Sequence, residues 1–252
     1  MIEAKEIGKQ YLDKQVLQAI DLSLPKGELI AFIGPNGAGK STLLSIMSRL
    51  QGTFSGQLYI DDGEIRAWDS KELAQRLAIL KQSNQVQARI TVAELVAFGR
   101  FPYSRGRLTT ADQQLIADAL AEMSLTELAE EEIQTLSGGQ LQRAYIAMIL
   151  AQDTEYILLD EPLNNLDMNH ANQMMHLLRR LVAKLGKTVL LVIHDINFAA
   201  GFADKIVALK GGRLFKIGTP TEVITPAVLG ELYEMKVNVI DYNGRPFCMY
   251  FD

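Results

Sequence analysis

The stretch "LIAFIGPNGAGKSTLL" (residues 29–44) decides the fold. Its first five residues are an unbroken apolar run, the pattern of a strand covered on both faces. "GPNGAGKST" (34–42) then fits G-x-x-x-x-G-K-[ST], and "KSTLLSIMSRL" (40–50) carries helical periodicity. A strand, a glycine-rich turn and a helix in that order form a phosphate-binding loop. The glycines let the backbone of Gly34, Pro35, Asn36, Gly37, Ala38 and Gly39 curl, so that N–H groups point at phosphate oxygens. The helix N-terminus adds partial positive charge, Lys40 adds a full one, and the Ser41 hydroxyl is a ligand for Mg²⁺. The competing reading is a plain glycine turn with Lys40 solvated; the flanking strand and helix favour the phosphate loop.

Outward from this stretch, strands and helices alternate. The first sixty residues read as β, including the short strand "GQLYIDDG" (56–63). "YILLD" (156–160), "TVLLVIHD" (188–195) and "KIVALKGG" (205–212) read as strands. "NHANQMMHLLRRLVAKLG" (169–186), "NFAAGFAD" (197–204) and about 225–235 read as helices, and Asn243-Gly244 turns a C-terminal hairpin. "SKELAQRLAIL" (70–80), "TVAELVAFG" (91–99) and "TTADQQLIADALAEMSL" (109–125) are helix-periodic and interrupt the alternation. The expected fold is α/β: a P-loop NTPase core with a mostly parallel sheet and flanking helices, and an antiparallel β part at the N-terminus. A helical subdomain is inserted over about 70–155, between core segments 1–69 and 156–252.

Composition narrows the function classes. The net charge of −5 disfavours nucleic acid as a partner. The single cysteine, Cys248, excludes an internal disulfide. "MIEAKEIGKQYL" lacks the apolar core of a secretory signal, and no window approaches the roughly 20 apolar residues that span a bilayer. Any link to a membrane is therefore expected to run through a partner.

Two further strand ends carry polar groups. "YILLDEP" (156–162) ends in Asp160 and Glu161, and strand alternation would send these neighbours to opposite faces. One could serve a metal shell while the other acts on a water. "LVIHD" (191–195) ends near His194. Taken alone, the acidic pair fits a loop cap and His194 a surface residue. Three polar clusters at three strand ends favour a site, because ligands of open α/β sheets bind there.

"TLSGGQLQRAYIAMIL" (135–150) poses a different question. Ser137 and Gln140 fit a capping box at the start of a helix. Gly138 and Gly139 do not belong to it, since each glycine costs a helix about 1 kcal/mol relative to alanine. Bare N–H groups at a helix start form an anion site. With one phosphate loop already in the chain, the second anion points to a nucleotide held by a second copy.

In order and spacing, "GPNGAGKS", "LSGGQ", "YILLDE", "NNLD" and "VIHD" resemble the nucleotide-binding subunits of ABC transporters, over almost the whole chain. The resemblance implies a single ABC ATPase domain over 1–252 that binds ATP and Mg²⁺. It implies that Tyr11 stacks on adenine, that Asn36 to Thr42 cradle the phosphates, and that Gln82 contacts Mg²⁺ and the attacking water. Asp160 would hold the metal through water, Glu161 would be the general base, and His194 would sense the γ-phosphate. Ser137 to Gln140 would close over ATP in the opposite subunit, and Asp167 would communicate across that dimer. Lys81 stands where the family often has proline, and Leu163-Asn164 where it has threonine-serine.

"LVAFGRFPYSRGRLTTAD" (95–112) is similar to importers of iron–siderophore, haem and cobalamin, and "DEPLNNLDMNH" to the siderophore group. Arg100, Arg105 and Arg107 beside Phe101 and Tyr103 form either a solvated basic face or an interface. In this family a permease helix docks near that region. The function expected from the resemblance is the ATPase of a bacterial iron–siderophore importer, on the cytoplasmic face of the membrane, served indirectly by a siderophore-binding protein. Haem or cobalamin import, a DNA-repair-type ABC ATPase and a small-molecule kinase are the alternatives. The DNA-repair class inserts a coiled coil between loop and signature, and no sustained heptads lie there. A kinase would not need "LSGGQ".

Overall fold

The computed structural model describes residues 1–81, 89–104 and 106–250. The chain opens with β1 (Ile2–Tyr11), β2 (Lys14–Leu24), β3 (Leu29–Ile33), α1 (Lys40–Met47), β4 (Ser55–Ile60) and β5 (Gly63–Glu64). Then follow α2 (Ser70–Arg76), β6 (Leu77–Leu80), α3 (Val92–Ala97), α4 (Phe101–Ser104), α5 (Thr110–Glu122), α6 (Gly138–Gln152), β7 (Tyr156–Asp160) and α7 (Met168–Leu185). The remainder is β8 (Thr188–Val192), α8 (Ile196–Phe202), β9 (Lys205–Lys210), β10 (Arg213–Gly218), α9 (Pro220–Val223), α10 (Pro226–Tyr233), β11 (Asn238–Tyr242) and β12 (Arg245–Met249). These form two compact units, Met1–Trp68 with Met175–Asp252, and Asp69–Met174.

In the first unit, β2, β1, β4 and β5 make an antiparallel sheet in that order. Ile2 of β1 faces Leu24 on one side and Ile60 on the other, and all three are buried. Strand β3 runs parallel to both β8 and β9, and β10 returns antiparallel along β9. Every residue of β3 and β8 is buried, which is why both read as continuous apolar runs rather than alternating ones. Phe32 is registered with Val192 and with Val207, so the chain leaves β3 at Gly34 and β8 near His194 at one edge. The C-terminal hairpin turns at Asn243 and Gly244, with φ of 54° and 78°, as the Asn-Gly pair predicts.

In the second unit, β6 and β7 pair in parallel, with Leu80 opposite Leu159. Helices α3, α5 and α6 pack together through Val92, Leu95, Val96, Ile116, Leu120, Ala144 and Ala147. The expected helix over 70–80 stops at Arg76. Leu73, Leu77 and Leu80 satisfy helical spacing, yet Leu77–Leu80 pairs with buried β7, and that pairing overrides local periodicity. Strand β10 is half-exposed and its sequence shows no clear alternation, so no local pattern announces it.

Arg100 overturns the exposed-arginine expectation. It is 6 % exposed. Its Nε donates to Asp112 Oδ1 at 2.8 Å and its Nη1 to the Ala151 carbonyl at 2.8 Å, at the C-terminal end of α6. The guanidinium also stacks 4.0 Å from the Tyr103 ring, whose hydroxyl donates to the Gln75 carbonyl. A guanidinium paired in this way is part of the interior, not a solvated basic face. Phe98 and Phe101 remain outside, at 54 % and 60 % exposure. Arg105 lies outside the described residues.

Asp112 closes the capping box of α5 with Thr109. The Thr109 N–H, Arg100 and the Thr109 hydroxyl together lower its carboxyl to about 2. A carboxyl lower in the folded than in the unfolded state stabilises above its unfolded value and loses that contribution as pH falls toward its folded value. Asp112→Asn is therefore expected to lower the thermal midpoint at neutral pH. It should also flatten the fall in stability between about pH 4 and pH 2, measured by thermal unfolding across that range.

Candidate nucleotide site

The phosphate loop connects β3 to α1. Gly34, Gly37 and Gly39 have φ of 140°, 78° and 99°, a region closed to most side chains. A Cβ on Gly34 would overlap the Leu209 carbonyl, whereas one on Gly37 would meet nothing within 4 Å. The first glycine is thus fixed by packing against β9, and Gly37 is demanded by backbone conformation at an open part of the loop. The Ala38 N–H donates to the Pro35 carbonyl at 3.1 Å, which sets the curl. Lys40 is 5 % exposed, and its Nζ donates to the Gly34 and Pro35 carbonyls at 2.7 and 3.1 Å. The cation is therefore held across the mouth of the loop. Gly39 caps α1 in a left-handed conformation without a side-chain hydrogen bond, so no N-cap side chain covers the start of the helix.

Two other expected residues lie in the same unit. Tyr11 ends β1, is 44 % exposed, and has the Lys9 ammonium 4.7 Å from its ring centroid. His194 follows β8 and directly precedes Asp195, whose side chain caps α8 by accepting from the Asn197 and Phe198 N–H groups.

The remaining expected residues lie in the second unit. Asp160 is the last residue of β7 and is 7 % exposed. Glu161 is not placed by strand alternation, as expected, but by a left-handed turn with φ of 53°. Such a conformation in a non-glycine residue is costly. Asn164 Nδ2 donates to Glu161 Oε2 at 2.7 Å. Asn164, which departs from the family's pattern, thus has a place beside Glu161, and its spacing of three residues is the signal for it in the sequence. Asp167 accepts from the His170 N–H at 2.8 Å and lies 2.9 Å from His170 Nδ1, contacts that hold its carboxyl below the usual range. Gln82 lies outside the described residues.

Ser137 and Gln140 form the capping box, with the Ser137 N–H donating to Gln140 Oε1 at 2.8 Å and the Gln140 N–H to Ser137 Oγ at 3.3 Å. A Cβ on Gly138 would meet Asn165 Cβ at 3.6 Å, and one on Gly139 the Asn165 carbonyl at 3.4 Å. Both are ordinary contacts, so nothing among the described residues demands glycine there. Gln142 Nε2 donates to the Pro162 carbonyl at 3.0 Å, tying this helix start to the loop that carries Glu161 and Asp167.

A buried lysine over a glycine-rich loop between a parallel strand and a helix is the arrangement of a phosphate-binding loop. The chain belongs to the ABC transporter family, whose model matches residues 17–164. It is thus an ATP-hydrolysing cassette that binds ATP. It is 54% identical to the petrobactin import ATP-binding protein YclP of Bacillus subtilis (strain 168), over 100% of both chains. It is 40% identical to the iron(3+)-hydroxamate import ATP-binding protein FhuC of the same organism, over 100% of this chain and 95% of that one. Among solved structures, the dimeric bacterial ABC transporter cassette MJ0796 superimposes with a TM-score of 0.79 at 32% identity, covering 87% of this chain and 98% of that one.

Because its own chain leaves room for a methyl group, Gly139→Ala is expected to hold or raise stability by up to about 1 kcal/mol. ATP turnover should nevertheless fall. Thermal unfolding and phosphate release on the same preparation check both; unimpaired turnover would reduce the stretch to a helix cap.

Proposed function

We propose that this chain is the ATP-hydrolysing subunit of a bacterial iron–siderophore importer, bound peripherally to the cytoplasmic face of the membrane. The carrying observation is its full-length identity of 54% to an import ATP-binding protein for petrobactin. The "GRFPY" segment adds to it, with Arg100 anchored inward while Phe98 and Phe101 stay exposed for a permease helix. No helix among the described residues is long and apolar enough to cross a membrane. In this reading integral permease subunits carry the transport. A siderophore-binding protein acts indirectly, by delivering cargo to them.

Two copies work head to tail. In each nucleotide site the phosphate loop of one copy, Gly34 to Thr42, holds the ATP phosphates, with Tyr11 against adenine. Ser137 to Gln140 of the other copy closes over the γ-phosphate with its bare helix start. The exposure of Gly138 at the start of this helix supports this, because a second chain can reach the bare N–H groups there.

Ser41 and Asp160 offer a hydroxyl and a carboxylate, hard oxygen donors that suit Mg²⁺. Mg²⁺ would neutralise charge on the phosphates, with Gln82 completing its surroundings. Glu161, aimed by its turn and by Asn164, takes the proton of the attacking water. Lys40 stabilises charge on the transferred phosphoryl group, His194 reads its presence, and Asp167 carries the state of one site to the other.

Glu161→Gln is expected to cut turnover by about 10²- to 10⁴-fold while leaving ATP binding intact, so that an ATP-bound dimer accumulates. Phosphate release and size-exclusion chromatography with ATP check this. Normal hydrolysis by the variant would remove Glu161 from the role of base.

A further inference from the structure

The phosphate loop is fastened at its first residue by the far end of the chain. The Gly34 N–H stands where β3 has ended, is buried, and donates to the Tyr233 hydroxyl at 3.1 Å. Tyr233 is the last residue of α10. Burial pushes its hydroxyl up to about 12, so it stays protonated and neutral at physiological pH. The helix end that carries it is anchored in turn. Lys210 Nζ donates to the Glu231 carbonyl at 2.6 Å and pairs with Glu234 at 2.9 Å, placing a cation on the C-terminal carbonyls of α10. Lys210 directly follows Leu209, whose carbonyl abuts Gly34. Beyond α10, the Cys248 N–H donates to Asn197 Oδ1 at 2.8 Å, and Asn197 Nδ2 donates to the Cys248 carbonyl at 3.2 Å. The segment carrying Tyr233 is thus tied down on both sides.

From this geometry we infer that Tyr233 is a positioning residue for nucleotide binding: its hydroxyl, held by Lys210 at the end of α10, fixes the angle at which the phosphate loop leaves β3. The inference rests on reading Gly34 to Thr42 as the ATP cradle. Without the hydroxyl, the Gly34 N–H becomes a buried donor without its partner, and the loop entrance can relax toward another acceptor. Removing the oxygen alone, as Tyr233→Phe, keeps the ring and its packing.

Calorimetric titration with ATP and ADP, together with thermal unfolding without nucleotide, tests this. Tyr233→Phe should raise the dissociation constants of both nucleotides by about three- to tenfold, with unchanged stoichiometry and a thermal midpoint lowered by no more than a few degrees. Lys210→Met, which keeps the hydroxyl but frees the helix end, should weaken binding in the same direction by less. Wild-type affinity in Tyr233→Phe overturns the inference. A variant whose only change is a lower midpoint or a smaller competent fraction overturns it too, because that marks a packing role. If the wild-type chain itself binds neither nucleotide, the reading of the cradle fails instead, and the two failures are separable.

Discussion

Gly34 has no room for a Cβ because the Leu209 carbonyl occupies that space. This contact joins the end of β3 to β9, and the arrangement of the nucleotide edge depends on it. With β3 parallel to β8 on one side and β9 on the other, the phosphate loop, the His194 turn and the α10 terminus gather at the carboxyl ends of the strands. Ligands of such sheets bind at these ends, because helix N-termini and unpaired backbone groups converge there. The buried Lys40 is tolerable in this setting because its ammonium is held by the two loop carbonyls.

The second unit follows a different logic. Its helices pack through small and branched residues, and its chemistry lies in two loops brought together by β7 and α6. Glu161 and Asn165 both adopt left-handed backbone, at φ of 53° and 64°, and these turns shape the loop running to Asp167. The glycine pair at the start of α6 lies against that loop, where a methyl group on either would make only ordinary contact with Asn165. A helix start that its own chain neither crowds nor strains, and that forgoes alanine, is most simply explained by something approaching from outside.

Much of this was legible in the sequence because it is coded locally. The phosphate loop is written in glycines whose conformations no other residue shares, and the capping box in two side chains three residues apart. The Asn243-Gly244 turn is local in the same way. What was misread depends on distant partners. Residues 77–80 carry helical spacing and become a strand only because β7 lies alongside. Arg100 looked like surface until Asp112 and the end of α6 enclosed it. Tyr233 is 199 residues from Gly34, and no local pattern announces that contact. Glu161 leaves the strand in a left-handed turn that no local pattern in "YILLDEP" announces.

The central claim is that each nucleotide is completed by the opposite chain, and mixing two disabled chains tests it most directly. Lys40→Met disables the phosphate loop and keeps the helix start at Ser137; Ser137→Arg blocks the helix start and keeps the loop. Each alone should be inactive. If the site forms between copies, a mixed dimer holds one site with an intact loop and an intact helix start, and ATP turnover returns on mixing. If loop and helix start serve a nucleotide within one chain, the mixture stays as inactive as its parts.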